Sequence, residues 1–181
     1  MFFNPSRFIL PYEGQEAEIS APNQLSAQQK ASFSNSYQIV RLQSGMRLSR
    51  FLHSYKTPIY SQYWIDEQTT GELYRAIQNV QNYARSVKQE VIRNELAILN
   101  HWGNGLNLRV KIEIKTPVIA FAGRAGLQEF YMKEKETTVF GEGFRVLEKK
   151  IGGMMQFVIP SFNGELKADN SMAKVVHRTK L

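Results

Sequence analysis

The 181-residue sequence contains no cysteine. That absence excludes a disulfide scaffold, a thiolate metal site and a cysteine nucleophile together. Its three histidines, His53, His101 and His177, are far apart and read as packed or solvated side chains, so no metal is expected. No apolar run approaches the ~20 residues of a membrane-spanning helix, and no span is expected. The opening Met1-Phe2-Phe3-Asn4-Pro5-Ser6-Arg7 lacks the basic start and sustained apolar stretch of a signal peptide. A Walker loop, a GxGxxG at a strand–helix turn, an HExxH pair and a nucleophile elbow are also missing.

What is present is a surplus of positive charge, +7 at pH 7. The surplus is dispersed: residues 1–36 are net −1, 37–108 and 109–150 net +3 each, 151–164 neutral and 165–181 net +2. Such a surface suits an anionic ligand, whether a nucleotide, a nucleic acid or an acidic partner, but it is not a basic arm on a neutral body. The length fits one domain with extensions and suffices for a core without staples.

Composition divides the chain in three. Residues 1–36 read as an arm and a linker, because 11–36 are rich in Ser, Ala, Gln and Asn and offer little apolar surface to offset the entropy of ordering. Residues 37–163 read as the body, and 164–181 as a loosely ordered tail.

Within the body, 37–42 and 46–52 alternate around Gln43-Ser44-Gly45 and read as a hairpin-like strand pair. Residues 58–64 read as extended, and Asp66-Glu67 as their end. Thr69 and Glu72 have capping-box spacing. Behind them, apolar residues from Leu73 to Leu99 recur in steps of three and four, which predicts two helices broken near Ser86. Leu108 to Lys115 alternates without a fault and is the clearest strand. Val118 to Ala122 reads as a strand, 123–126 as a turn, 127–143 as a charged loop or hairpin, and 144–147 and 155–159 as strands separated by Gly152-Gly153. Strands, then helices, then strands define an α+β protein.

Four features could carry chemistry. Arg50 follows the Gly45 turn and is either a fork for a diphosphate or carboxylate or an exposed edge-strand arginine. Tyr60-Ser61-Gln62-Tyr63-Trp64 could stack on a nucleobase or nicotinamide, or supply core rings. Arg93 lies two to three turns before a Trp102-Gly103-Asn104 helix stop. Gln156 is a single amide in the apolar strand after Gly152-Gly153, and a buried amide must bond either the backbone or a substrate.

Taken in order, these give Gly-x-x-Leu-x-Arg, an aromatic-Trp segment, Arg-x-x-Leu-Ala-x-x-x-x-Trp-Gly-Asn, an amphipathic strand, Ala-Gly-x-Ala-x-x-Gln and Gly-Gly-x-x-Gln before a final strand. Over residues 39–160 this order resembles the toxin domains of bacterial polymorphic effectors with the ADP-ribosyltransferase-like fold. It is similar in logic to the NAD-glycohydrolase branch that includes tuberculosis necrotizing toxin. The third glycine of the usual cluster is Met154 here.

The resemblance implies split antiparallel sheets with helices packed on the N-terminal half. It implies an enzyme that takes NAD⁺ as substrate, uses no metal and cleaves the nicotinamide–ribose bond. Arg50 would hold the NAD phosphates, Tyr63 or Trp64 would lie near the nicotinamide, Arg93 would be a second arginine directed at the phosphates, Gly152 and Gly153 would let the backbone approach the ligand, and Gln156 would stand where transferases carry a catalytic glutamate. Also implied are a cognate immunity protein, a possible protein or RNA acceptor, and a secreted or delivered effector working in the cytosol of a target cell. A mono-ADP-ribosyltransferase and a basic nucleic-acid-binding module or ribonuclease are the alternatives.

Overall fold

Leu108–Ile114 shows the rule by which the sheet is built: Leu108, Val110, Ile112 and Ile114 are buried, while Arg109, Lys111 and Glu113 face the other side. The computed structural model describes residues 7–54, 61–80, 82–99, 105–138, 141–162 and 172–181, and for 130–147 the backbone alone. In chain order the elements are β1 (Ile9–Pro11), α1 (Ala27–Ala31), β2 (Phe33–Leu42), β3 (Arg47–Leu52), β4 (Tyr63–Asp66), α2 (Glu67–Gln78), α3 (Arg85–Glu95), β5 (Leu108–Ile114), β6 (Val118–Ala125), β7 (Gln128–Thr138), β8 (Gly141–Lys150), β9 (Met155–Val158) and β10 (Ala173–Lys180). The α+β class is therefore as expected.

Eight strands form one antiparallel sheet in the order β1-β2-β6-β9-β4-β3-β5-β10. The main core draws on both ends of this order, joining Val40, Leu42, Ala120, Ala122 and Phe157 to Leu48, Leu52, Val110, Ile112 and Ala173. The sheet thus curls around its own inner face. The outer face of its first half carries Phe121 and Val158 under Ile19, Leu25 and Phe33. The outer face of its second half carries Phe51 and Ile65 under Leu73 of α2 and Ile92 of α3. β7 and β8 pair only with each other. Buried Lys150 at the end of β8 ion-pairs with Glu90 of α3, and lies 3.5 Å from Glu148.

Several local expectations are corrected. β2 and β3 are not a hairpin: β2 pairs β1 and β6, whereas β3 pairs β4 and β5. The Gly45 turn carries the chain from one half of the sheet to the other. The helix begins before the Thr69–Glu72 box, because Asp66 accepts from Thr69 N at 2.7 Å and is a stronger N-cap. Residues 123–125 continue β6 rather than turn, held by the β9 ladder at Gly123↔Gln156 and Arg124↔Met155.

Residues 11–36 are not a loose linker. Two 3₁₀ turns (Glu16–Glu18 and Ala21–Asn23), α1 and the start of β2 fill them. Few apolar groups suffice because Ile19, Leu25 and Phe33 are all placed on one sheet face. Polar ties complete the segment: Glu16 bonds Lys30 at 2.8 Å and Tyr37 at 3.0 Å. The C-terminal residues 173–180 are β10, registered along the whole of β5 rather than loose.

Candidate functional site

The site lies where β4 changes partners. Tyr63 and Trp64 pair with Val158 and Phe157 of β9, while Ile65 and Asp66 pair with Ser49 and Leu48 of β3. Beyond Ser49, β3 diverges from β4. A cavity of about 340 Å³ opens at this divergence, within the range of small-ligand sites. Its walls come from three directions: Gln28 and Ser32 of the N-terminal segment, Leu96–Ile98 after α3, and the outer face of the curled sheet.

Pleat parity decides which side chains face it. Trp64 and Phe157 point into the core, so Tyr63 and Gln156 point outward toward the cavity. By the same alternation Leu48 points inward, and Ser49 and Phe51 outward. The cavity is therefore apolar at one end, with Phe51, Ile65, Leu96, Ala97 and Ile98, and polar at the other, with Gln28, Ser32, Tyr63, Gln128 and Gln156.

Among the described residues that line the cavity, Arg50 is the one charged residue. Its ladder partner is Val110, so it leaves β3 on the inner face and meets the cavity where β3 has separated from β4. Burial lowers the Arg50 guanidinium from its ordinary value to about 10. Burial disfavours the charged form, and an anion at the site would offset that cost.

Gln156 is 7% exposed, and its amide is anchored at one end. Nε2 donates to Ser32 O at 3.0 Å and lies 3.5 Å from Ser32 Oγ. A carbonyl can only accept, so this bond fixes the amide with its nitrogen toward Ser32. Oε1 takes no hydrogen bond among the described residues, and Gln156 lines the cavity. Both alternatives for the buried amide are thus met at once: the backbone takes one end and leaves an acceptor for the cavity.

Tyr63 is 36% exposed at the cavity. Burial raises its phenol, partly opposed by the neighbouring Ser32 side chain. Trp64 is 1% exposed. Its indole Nε1 donates to Ser61 O at 2.8 Å and its ring meets Phe162 edge-on, so only a margin of it reaches the cavity. Of the two candidate aromatics, Tyr63 is the one presented. Ser49 is wholly buried against the cavity, and its Oγ has no hydrogen-bond partner among the described residues.

Arg93, Gly152 and Gly153 do not line the cavity. Arg93 is buried on α3, and its carbonyl accepts from Ile98 N at 2.8 Å, which folds the 96–98 wall back onto the helix. Ala97 in that wall has φ +52, a strained value for a residue with a side chain. Gly152 has φ +74, and an added Cβ would lie 2.4 Å from Ala125 O. Gly152 N donates to Asn94 O, and Gly153 N to Ala125 O, both at 2.8 Å. The two glycines tie α3, β6 and β9 together and so place Gln156 from behind. Trp102, Gly103 and Asn104 lie outside the described residues.

Ser32, Gln28, Ser49 and Ile98 are site residues with no role assigned from the sequence, and Gln128, Leu96 and Ala97 entered only as motif positions. Ser32 and Gln28 sit in a segment whose composition reads as linker. Ser49 could have been found as the small polar neighbour of Arg50, between Leu48 and Arg50 in the strand after the Gly45 turn.

The described residues hold no cluster of His, Cys, Asp or Glu able to bind a metal, and no helix is long and apolar enough to cross a membrane. No protein-family model and no curated protein matches the chain. Among solved structures, it is similar to Rhs1-CT in complex with its cognate immunity protein RhsI1: the two are 14% identical over 82% of this chain and 84% of that one, with a TM-score of 0.50. A structure of Tne2 in complex with Tni2 also matches, at 12% identity over 82% of this chain and 97% of that one, with a TM-score of 0.45. The likeness to Rhs1-CT is one of fold.

Proposed function

We propose that this chain is a NAD⁺-consuming toxin domain with an ADP-ribosyltransferase-like fold, and that it hydrolyses NAD⁺ to nicotinamide and ADP-ribose. The observation that carries the reading is the Gln156 amide, pinned through its nitrogen so that its oxygen is left for the cavity. Cleavage of the nicotinamide–ribose bond sends the bonding pair to nicotinamide and builds positive charge on the ribose. An acceptor fixed beside a ribose hydroxyl orients that sugar and strengthens its hold as charge develops. Water then adds to the anomeric carbon and releases a proton to solvent. Arg50 attracts the diphosphate, and Tyr63 offers a ring to the nicotinamide. Arg93 does not line the cavity and takes no phosphate contact, and Gly152 and Gly153 act through the backbone.

No carboxylate lines the cavity among the described residues, and Met154 stands two residues before Gln156. Both features favour water over a protein or RNA acceptor. The fold shared with Rhs1-CT, a protein seen with a cognate immunity protein, supports a delivered effector acting on a target cell, restrained by an immunity partner of its own.

Purified protein incubated with NAD⁺ should release nicotinamide. Gln156→Ala should lower the rate by about 10²–10³-fold with an unchanged melting temperature. Intact NAD⁺ at high protein concentration would refute the reading, and a discrete labelled band in lysate would move it to a transferase.

A further inference from the structure

Ser32 joins groups from three parts of the fold. Its carbonyl accepts from Gln156 Nε2 at 3.0 Å and from Gly126 N at 2.8 Å. Its hydroxyl donates to Gln29 O at 2.6 Å and lies 3.5 Å from Gln156 Nε2. The carbonyl is therefore saturated with donors, and both are needed to satisfy its two lone pairs.

Resting on the reading of Gln156 as the substrate contact, we infer that Ser32 is the positioning residue of this site and that its carbonyl selects an amide over a carboxylate at position 156. The bond turns the one hydrogen-bonding nitrogen of the side chain away from the cavity and leaves an acceptor facing it. A carboxylate in the same place has no proton to give Ser32 O, and two oxygens about 3 Å apart repel. A protonated carboxyl restores the pattern: its O–H donates to Ser32 O and its carbonyl faces the cavity. The segment from Gln28 to Ser32 thus belongs to the functional site, not to an appendage.

Among the described residues, the charged and titratable groups beside this amide are Tyr63 of β4 and Arg50 of β3 in the cavity, while Arg124 of β6, which donates to Gly153 O, pairs with Met155 and so leaves the sheet on the opposite face. Glu16 and Lys30 of the N-terminal segment are paired with each other, and Arg93 and Glu95 end α3. The Arg50 cation draws a carboxylate's proton off, whereas burial and the Ser32 carbonyl hold it on.

The test is Gln156→Glu, with Gln156→Met as the control that can neither donate nor accept as an amide does. Wild type should turn NAD⁺ over without an acidic activity limb. Gln156→Glu should be weak near about pH 8 and recover at least about tenfold toward about pH 5 as the new carboxyl gains its proton, while Gln156→Met stays inactive throughout. Carbon-13 NMR of the labelled side chain should place its titration above the ordinary carboxylate range. Equal activity of Gln156→Glu at both pH values, or a titration at or below the ordinary range, overturns the role of Ser32. If Gln156→Glu unfolds near neutrality, melting followed against pH replaces the rate: stability gained on acidification supports the role, and none gained overturns it. Absence of turnover by wild type overturns the functional reading alone, and the NMR titration still decides the part played by Ser32.

Discussion

At the scale of single residues, the site is governed by what each polar atom is denied. Arg50 is short of water, Ser49 Oγ of a protein partner, and the Gln156 oxygen of any donor but a ligand. For Arg50 this has a direction with pH. Folding lowers its value to about 10, so the folded chain favours the uncharged form, and stability rises as pH passes that value. Ligand attraction runs the opposite way, since the cation is what draws a diphosphate. ADP-ribose affinity, followed by calorimetry from about pH 8 to pH 11, should hold below about 10 and fall above it. An affinity unchanged across that range would mean that Arg50 does not meet the phosphates. Gln156 was legible in the sequence because it is polar in an otherwise apolar strand, and Arg50 because it is an arginine near the end of the strand that follows the Gly45 turn. Ser32 was not, because its contribution is a main-chain oxygen, which every residue type possesses.

At the scale of elements, the Gly152-Gly153 junction shows how a motif can be read correctly as special and wrongly as to cause. The pair was expected to let backbone approach a ligand. Instead Gly152 lets β9 start against the Ala125 carbonyl while its amide reaches Asn94 of α3. Gly152→Ala should therefore cost more than about 2 kcal/mol, from a forbidden contact and a left-handed φ together. Thermal melting checks this, and a variant within about 0.5 kcal/mol of wild type would show that the junction relaxes freely. Strand alternation made β5 plain, and helical spacing announced two helices, but the break falls between Gln78 and Arg85 rather than near Ser86, which lies in the first turn of α3. Pairing was harder. The short turn after Leu42 suggested a hairpin, yet β2 finds β6 and β3 finds β5, since each is offered a longer apolar ladder by a distant strand than by its neighbour.

At the scale of the whole molecule, composition misjudged both ends of the chain. A segment poor in apolar residues can still be integral when the few it has land on one face, as Ile19, Leu25 and Phe33 do. β10 is polar along most of its length because its outer side faces solvent, but Ala173 is buried in the main core and Val175 packs against it. Removing residues 172–181 would strip β5 of its partner along seven registered positions and open the Val110–Ile114 layer to water. Such a chain should melt at a lower temperature and with a broader transition, as read by circular dichroism. A sharp transition at the wild-type temperature would show that the strand is dispensable.

β4 spans four residues and lends two to each neighbour. It is the waist of the sheet, where the fewest ladder bonds join the halves. Thermal bending gathers at such a place, since stiffness scales with the bonds that must deform together. The cavity lies against this waist, with one wall fixed to each half. Rocking of the halves about β4 would widen or narrow the gap between Gln156 and Arg50 against the resistance of the core that the halves share, so the placement of one very short strand sets how far the mouth can breathe.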